Sequence, residues 1–284
     1  MYKAGLVLEG GGMKGFYTAG VLDFFLDKGI DFSRIYGVSA GACHMCSYTS
    51  KQRGRAKDVC LDYLETRDYF GVRSLLTTGD VFNAKICYEL IPEYLNPYNY
   101  ETFNQYEGKA YAVVTNIETG QAEYIQLRDM KKDIIAVRAS ASLPLVSRNV
   151  HIEDGVYLDG GIADAIPIRK SILDGNQKNV VIMTKEEEFR RKPEASAQLA
   201  LIKACYWKYP KVYELMKHRH LMYNHTLDYL ERQAAEGKAF VLRPKEKSDV
   251  GRLEKDEEKL TRLYQEGYQD AENQYEQLIN YLEN

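Results

Sequence analysis

Short, unbroken apolar runs alternate along this chain with longer stretches in which apolar residues recur every three or four positions. That alternation predicts an α/β fold. The run Leu6-Val7-Leu8 ends in glycines and opens a helical pattern, and Ile35-Tyr36 does the same around Gly37. Two strand–turn–helix passages within residues 5–41 predict one βαβ unit, with both turns at the carboxyl edge of a parallel sheet. Between them, Lys28-Gly29 reads as a glycine helix stop. Residues 40–66 read as helical, and residues 68–108 as irregular, with turns at Thr78-Gly79-Asp80 and Asn96-Pro97 and helices covering the mouth of a site. Residues 111–116 form a buried-strand pattern, with residues 122–127 as a hairpin partner across residues 118–121. A helix follows over residues 132–142, then a hairpin over residues 151–158 that delivers Asp159.

Strands near residues 179–184 and 239–243 are expected to join the same sheet, and helices over 196–236 (broken at Pro210, stopped at Gly237) and 253–283 to pack on it. The last helix carries Leu260, Tyr264, Tyr268, Ala271, Tyr275, Leu278 and Leu282 at three- and four-residue steps. Its opposite face is acidic as well as basic, so the stripe reads as a core-packed face rather than a membrane anchor. The charged run from Lys185 to Lys192 reads as a solvated loop. The predicted architecture is a three-layer α/β/α fold, a mainly parallel sheet flanked by helices, with a C-terminal helical extension.

With 284 residues, 45% of them hydrophobic, the chain can bury a large core in one compact domain. A net charge of -3 argues against nucleic acid as a partner and offers little attraction to anionic membranes. The chain runs directly into its first strand without a signal-peptide pattern, and no apolar run has bilayer-spanning length, so a cytoplasmic protein is expected. Five cysteines, at 43, 46, 60, 87 and 205, suit reduced thiols. Cys43-His44-Met45-Cys46 has metal-site spacing but no second ligand pair, so small core fillers are the better reading and neither metal nor cofactor is expected.

The candidate chemistry lies in the two turns. In Gly37-Val38-Ser39-Ala40-Gly41, flanking glycines allow a sharp turn that pushes Ser39 Oγ outward at a helix N-terminus. In Gly10-Gly11-Gly12-Met13-Lys14-Gly15, uncovered backbone N–H groups can converge on an anion, with Lys14 adding positive charge. Gly10, Gly12 and Gly15 also spell a dinucleotide fingerprint, but that reading wants an acidic residue ending the second strand. The strand ends in Val38-Ser39, and Asp31 lies at its other end. Lys14 is followed by Gly15 rather than Ser or Thr, which weakens a P-loop reading.

Together with Ala139-Ser140-Ala141-Ser142-Leu143-Pro144 and Leu158-Asp159-Gly160-Gly161, continuing through Ala165-Ile166-Pro167, these turns resemble the patatin-like phospholipase family over roughly residues 5–172. The resemblance implies a core at 5–172 and a C-terminal part at 173–284. It also implies a metal-independent acyl hydrolase with Ser39 as nucleophile, Asp159 as base and an oxyanion hole drawn from Gly10, Gly11, Gly12 and Met13. Lys14, Gly15, Gly37, Gly41, Gly160 and Gly161 would complete the motifs. Its substrate would be a lipid or other acyl ester, met through transient contact with a membrane surface. Two alternatives stay open. His218, His220 and His225 follow Asp159, so a histidine-assisted carboxylesterase has the required chain order, although structural roles suit those residues and His44 and His151 better. The glycine cradle could also bind an anionic lipid or nucleotide without chemistry.

Overall fold

The apolar run of the first strand is buried on both sides. In β1 (Tyr2–Leu8), Ala4, Leu6 and Leu8 face one half of the core and Val7 the other. A strand buried on both faces has to lie at the centre of a sheet covered by helices. The computed structural model describes residues 1–66 and 68–284 and shows this arrangement. From β1, a 3-10 turn at Gly12–Gly15 leads into α1 (Phe16–Asp27), and Gly29 ends that helix with φ +63°. β2 (Phe32–Val38) then pairs in parallel with β1.

Next come α2 (Ala40–Thr49), α3 (Arg55–Leu61), α4 (Val72–Thr78), a π-helical segment at Ile86–Leu95 and α5 (Tyr100–Asn104). β3 (Lys109–Asn116), β4 (Ala122–Leu127) and α6 (Met130–Ser140) precede the hairpin of β5 (Val150–Ile152) and β6 (Gly155–Asp159). α7 (Ile168–Leu173), β7 (Asn179–Ile182), α8 (Ser196–Cys205), α9 (Pro210–Ala235), β8 (Ala239–Leu242), α10 (Glu257–Asn273) and α11 (Tyr275–Glu283) complete the chain.

Hydrogen-bonded neighbours follow the path β5-β6-β3-β2-β1-β7-β8, with β4 paired to β3 off that path. Pairing is parallel from β3 through β2, β1 and β7 to β8, and antiparallel where β4, β5 and β6 join. A strand has only two edges. β4 occupies one edge of β3 from Ala110 to Thr115. β2 pairs with β3 up to Val38↔Val113, and β6 pairs with it from Val114↔Asp159 onward. Both overlap the reach of β4, so both lie on the other edge. β2 and β6 therefore meet end to end along one side of β3, which brings the residue after Val38 beside Asp159.

Helices cover both faces. α1, α2 and α10 pack with Leu6, Leu8 and Ile35, while α7 and α9 pack with Val7, Tyr36, Val38 and Val113. α1 and α10 cross at contact distance because each offers a glycine. A Cβ on Gly20 would lie 2.0 Å from the Tyr264 carbonyl oxygen, and one on Gly267 2.1 Å from that of Tyr17.

Three local readings differ from the sequence pattern. The helical stretch at 40–66 divides at Lys51 (φ 56°) and Gly54 (φ +80°), two left-handed positions that end α2 and start α3. The final stripe divides at Gln274 into α10 and α11, with Leu260, Ala271, Leu278 and Leu282 buried. The charged run at 185–192 is not wholly solvated. Lys185 is buried, and its ammonium lies 3.0 Å from Glu9 Oε1.

Candidate active site

Ser39 occupies the turn between β2 and α2 with φ 54° and ψ -122°, a left-handed conformation that costs a non-glycine residue of order 1–3 kcal/mol. The surroundings enforce it. A Cβ at Gly37 would lie 2.6 Å from Ala42 Cα, and one at Gly41 2.6 Å from the Leu8 carbonyl oxygen, so only glycines let strand and helix close on the turn. Ser39 N–H donates to Ser140 Oγ at 2.9 Å, and the Ser39 carbonyl accepts from Ala42 N at 2.9 Å, opening α2. Ser140 ends α6, which gives the Ala139–Pro144 segment a direct structural task.

Asp159 ends β6 and is 1% exposed. Its N–H donates to the Ser142 carbonyl at 2.7 Å, and its Oδ1 accepts from Gly161 N at 2.7 Å. Oδ2 has no partner in hydrogen-bonding geometry, although the Ser39 side chain is near enough to favour the ionised carboxylate. Burial raises the Asp159 pKa above the ordinary Asp value. Ser39, Arg219 and the Gly161 amide oppose that rise without cancelling it. Gly160 is required here as well, because a Cβ would come within 2.1 Å of the Val113 carbonyl oxygen.

The glycine loop rests on the same turn. A Cβ at Gly10 would sit 2.8 Å from Ser39 Cβ, and Gly12 adopts φ +59° with Arg252 O 2.6 Å from where its Cβ would lie. Among the described residues, no acceptor takes the amide hydrogens of Gly10, Gly11 or Gly12. Met13, grouped with them on sequence, instead donates its N–H to Arg252 O at 3.1 Å. Lys14 Nζ reaches Ser248 O at 3.5 Å, and Gly15 packs against the buried His44 ring.

A dry polar cluster holds the loop from behind. Glu9 Oε2 accepts from Thr184 N (2.7 Å) and Thr184 Oγ1 (2.8 Å), and Oε1 from Lys185 Nζ (3.0 Å) and Tyr223 OH (2.5 Å). Burial disfavours the Glu9 carboxylate, yet Lys185, Tyr223 and Thr184 together hold its pKa below the usual value. Thr184 Oγ1 also lies 3.2 Å from Gly10 O. No sequence motif announced this cluster, nor Arg219, whose Nε donates to Gly161 O at 2.7 Å. The one local hint was a charged Glu9 directly after a fully buried apolar run.

Ser39 and Gly12 open into a cavity of about 370 Å³ whose walls include Phe16, Tyr69, Phe82, Tyr88, Ile91 and Met130. Cys43, Cys46, Cys60 and Cys87 line it too. Burial pushes the Cys43 thiol up to about 11 and Cys60 up to about 12, so they stay protonated and behave as apolar wall. His44 also borders the cavity, and burial pushes it down to about 4, leaving it neutral. His151, His218 and His225 are exposed, and His218 Nδ1 lies 3.0 Å from the Glu214 carbonyl of its own helix. Among the described residues, no histidine is hydrogen-bonded to Ser39 or Asp159.

An α/β protein with a serine on a strained strand–turn–helix elbow, set against a glycine-rich loop, is the class that this fold and site define. The pattern described as patatin-like phospholipase matches residues 6–171, and the chain belongs to that family. A second match, to a domain of unknown function (DUF6363), covers residues 209–283, from the start of α9 to the end of α11. The uncharacterized protein YjjU of Escherichia coli (strain K12) is 31% identical over 186 residues, 64% of this chain and 52% of that protein, so the chain spans about half the length of this curated relative. VipD from Legionella pneumophila superposes with a TM-score of 0.50 at 14% identity, covering 97% of this chain and 67% of that one, a likeness of fold. Among the described residues, no helix is long and apolar enough to cross a membrane.

Proposed function

We propose that this protein is a serine acyl hydrolase that cleaves fatty-acyl esters of lipids through Ser39 and Asp159. The observation that carries the reading is the end-to-end meeting of β2 and β6 on β3, which sets an aspartate with an unpartnered oxygen beside a strained serine at an apolar cavity. Ser39 Oγ attacks the ester carbonyl as its proton passes to Asp159. The negative charge then developing on the carbonyl oxygen is met by the free amides of Gly10, Gly11 and Gly12. Asp159 returns the proton to the departing alcohol, leaving the acyl group on Ser39. A water molecule, deprotonated by Asp159, then attacks the acyl carbon, and Asp159 returns that proton to Ser39 Oγ as the bond to the acyl group breaks and the fatty acid leaves. The raised affinity of Asp159 for protons makes it a stronger base than an ordinary aspartate.

The apolar cavity suits an acyl chain. Val72 and Leu76 of α4 are 73% and 80% exposed, and the segments flanking that helix contribute Tyr69 and Asp80 to the cavity wall. This apolar margin supports brief contact with a lipid surface. In this reading, residues 5–172 supply nucleophile, base and oxyanion donors, and residues 173–284 complete the sheet and buttress the glycine loop.

Labelling with a fluorophosphonate probe, followed by peptide mapping, tests the proposal. A single adduct on Ser39 that is lost in Asp159→Asn is the expected result. An adduct lost on His→Ala substitution at 218, 220 or 225 would replace it with the histidine-assisted reading. A folded protein that takes no label and turns over no ester would leave the glycine loop as a binding cradle.

A further inference from the structure

The Asp159-Gly160-Gly161 turn engages one oxygen of its aspartate and leaves the other free. Gly161 N–H donates to Oδ1 at 2.7 Å, so Oδ2 is the oxygen that remains for Ser39. Glycine has more backbone freedom than any other residue, and a rotation at Gly161 would swing its N–H off Oδ1. Arg219 of α9 restrains that rotation, because its Nε donates to Gly161 O at 2.7 Å. Arg219 is 6% exposed, and its NH1 lies 3.9 Å from Oε1 of Glu194, on the segment between β7 and α8. A side chain from the C-terminal part of the chain thus braces the turn that ends β6.

The same contacts set a cation beside Asp159. A Cβ at Gly161 would lie 3.0 Å from Asp159 Oδ1 and 3.2 Å from Arg219 NH2, so those two atoms are at most about 6.2 Å apart, with only a glycine between them. The other groups that face the carboxylate do not replace this charge. Cys43 on α2 stays a neutral thiol, and Ser39 contributes a hydroxyl. Arg252, after β8, acts on Asp159 in the same direction as Arg219 but is exposed, where water screens it. Burial, then the half-buried Arg191, lower Arg219 to about 10, which leaves it charged at neutral pH.

We propose that Arg219 is a positioning residue for Asp159: it locks Gly161 so that Oδ2 is the oxygen left for Ser39, and it supplies the positive charge, shared with Glu194, that faces this carboxylate. Only the chemical consequence rests on the hydrolase reading. Taking the Ser39 proton requires an ionised Asp159, and a buried cation within about 6 Å favours that form by roughly one pH unit or more.

Two readouts test the proposal, and the first needs no turnover. It is the titration of the Asp159 carboxyl carbon by NMR in isotopically labelled protein, with the signal assigned through Asp159→Asn. Arg219→Gln should move the midpoint up by roughly one pH unit, and Arg219→Lys, which keeps the charge, should move it less. Glu194→Gln should move it down, a direction that lost packing does not give, and a rise would overturn the proposal. The second readout is the rate of fluorophosphonate labelling against pH, whose acid limb should shift with the carboxyl titration. An unmoved midpoint in folded Arg219→Gln protein, or equal shifts in the Gln and Lys variants, would also overturn it. If the carboxyl carbon shifts as expected in a protein that takes no label, the positioning role stands and the hydrolase reading falls. Arg219→Met, which keeps an apolar stem and drops the charge, takes the place of Arg219→Gln should that variant fold poorly.

Discussion

Replacing Lys185 with methionine isolates what the buried cluster behind the glycine loop contributes. The substitution keeps the side-chain bulk and removes the ammonium that lies 3.0 Å from Glu9 Oε1 and 2.9 Å from Thr184 Oγ1. Leaving one partner of a buried ion pair uncompensated costs about 3–5 kcal/mol. Glu9 would still accept from Thr184 N, Thr184 Oγ1 and Tyr223 OH, which argues for the lower end of that range. At roughly 2–4 °C per kcal/mol for a domain of this size, about 3 kcal/mol corresponds to a fall in Tm of roughly 6–12 °C.

The loss should depend on pH. In wild type, the Glu9 pKa is held below its unfolded value, so its stabilisation is present above the usual carboxylate range and fades as the pH drops through the folded value. Without Lys185, burial dominates and raises that value. The carboxylate then costs stability at neutral pH and recovers it on protonation, so the gap between variant and wild type should narrow on acidification. Thermal melts at several pH values read this directly. The double variant Glu9→Gln/Lys185→Met, with no charge left to strand, should recover most of the loss. A single variant within about 1 kcal/mol of wild type at neutral pH, or a double variant no better than the single, would refute the reasoning.

Asp159→Asn should be inactive yet melt no lower than wild type at neutral pH. The folded Asp159 value is raised, so its contribution to stability is present at low pH and lost as the pH rises through that value, while an amide can still accept the Gly161 N–H. A fall of several degrees would contradict this. For the same reason, the pH profile of fluorophosphonate labelling should lose rate on acidification with a midpoint above the ordinary Asp range, and a midpoint at the ordinary value would argue against a buried base. Gly41→Ala should cost several kcal/mol in chemical denaturation, because its Cβ would meet backbone at 2.6 Å, and a change below about 1 kcal/mol would show that the elbow can relax. Alanine at His218 or His225 should leave labelling rates within about twofold of wild type, since both side chains are exposed, and a tenfold loss would restore the histidine-assisted mechanism.

What the sequence disclosed was local chemistry. Glycines bracketing Ser39, and Gly12 in the loop after Glu9, mark sharp turns because a Cβ at any of the three would meet backbone at 2.6 Å. The strands expected at 111–116, 179–184 and 239–243 were legible as compact apolar runs and the one at 122–127 as a hairpin partner, matching β3, β7, β8 and β4. The unseen parts depend on pairing between distant segments. Nothing near residue 185 signals that Lys185 meets Glu9, since a charge run looks alike whether solvated or buried. Arg219 lies within a helix rich in charge and tyrosine, and only the packing of α9 under the sheet turns it toward Gly161. The Met13 amide looked equivalent to its glycine neighbours until Arg252, far along the chain, took its hydrogen.

The glycine-to-glycine crossing of α1 and α10 ties the helix leaving the glycine loop to an element made much later in the chain. On a ribosome adding about 5–20 residues per second, roughly 10–50 s separate the synthesis of Gly20 from that of Gly267. During that interval the nascent chain carries Ser39 and its glycine loop without the helix that seats them, and without Arg252 to hold Met13. On the proposed reading, such a site would stay silent until α10 had been made and docked.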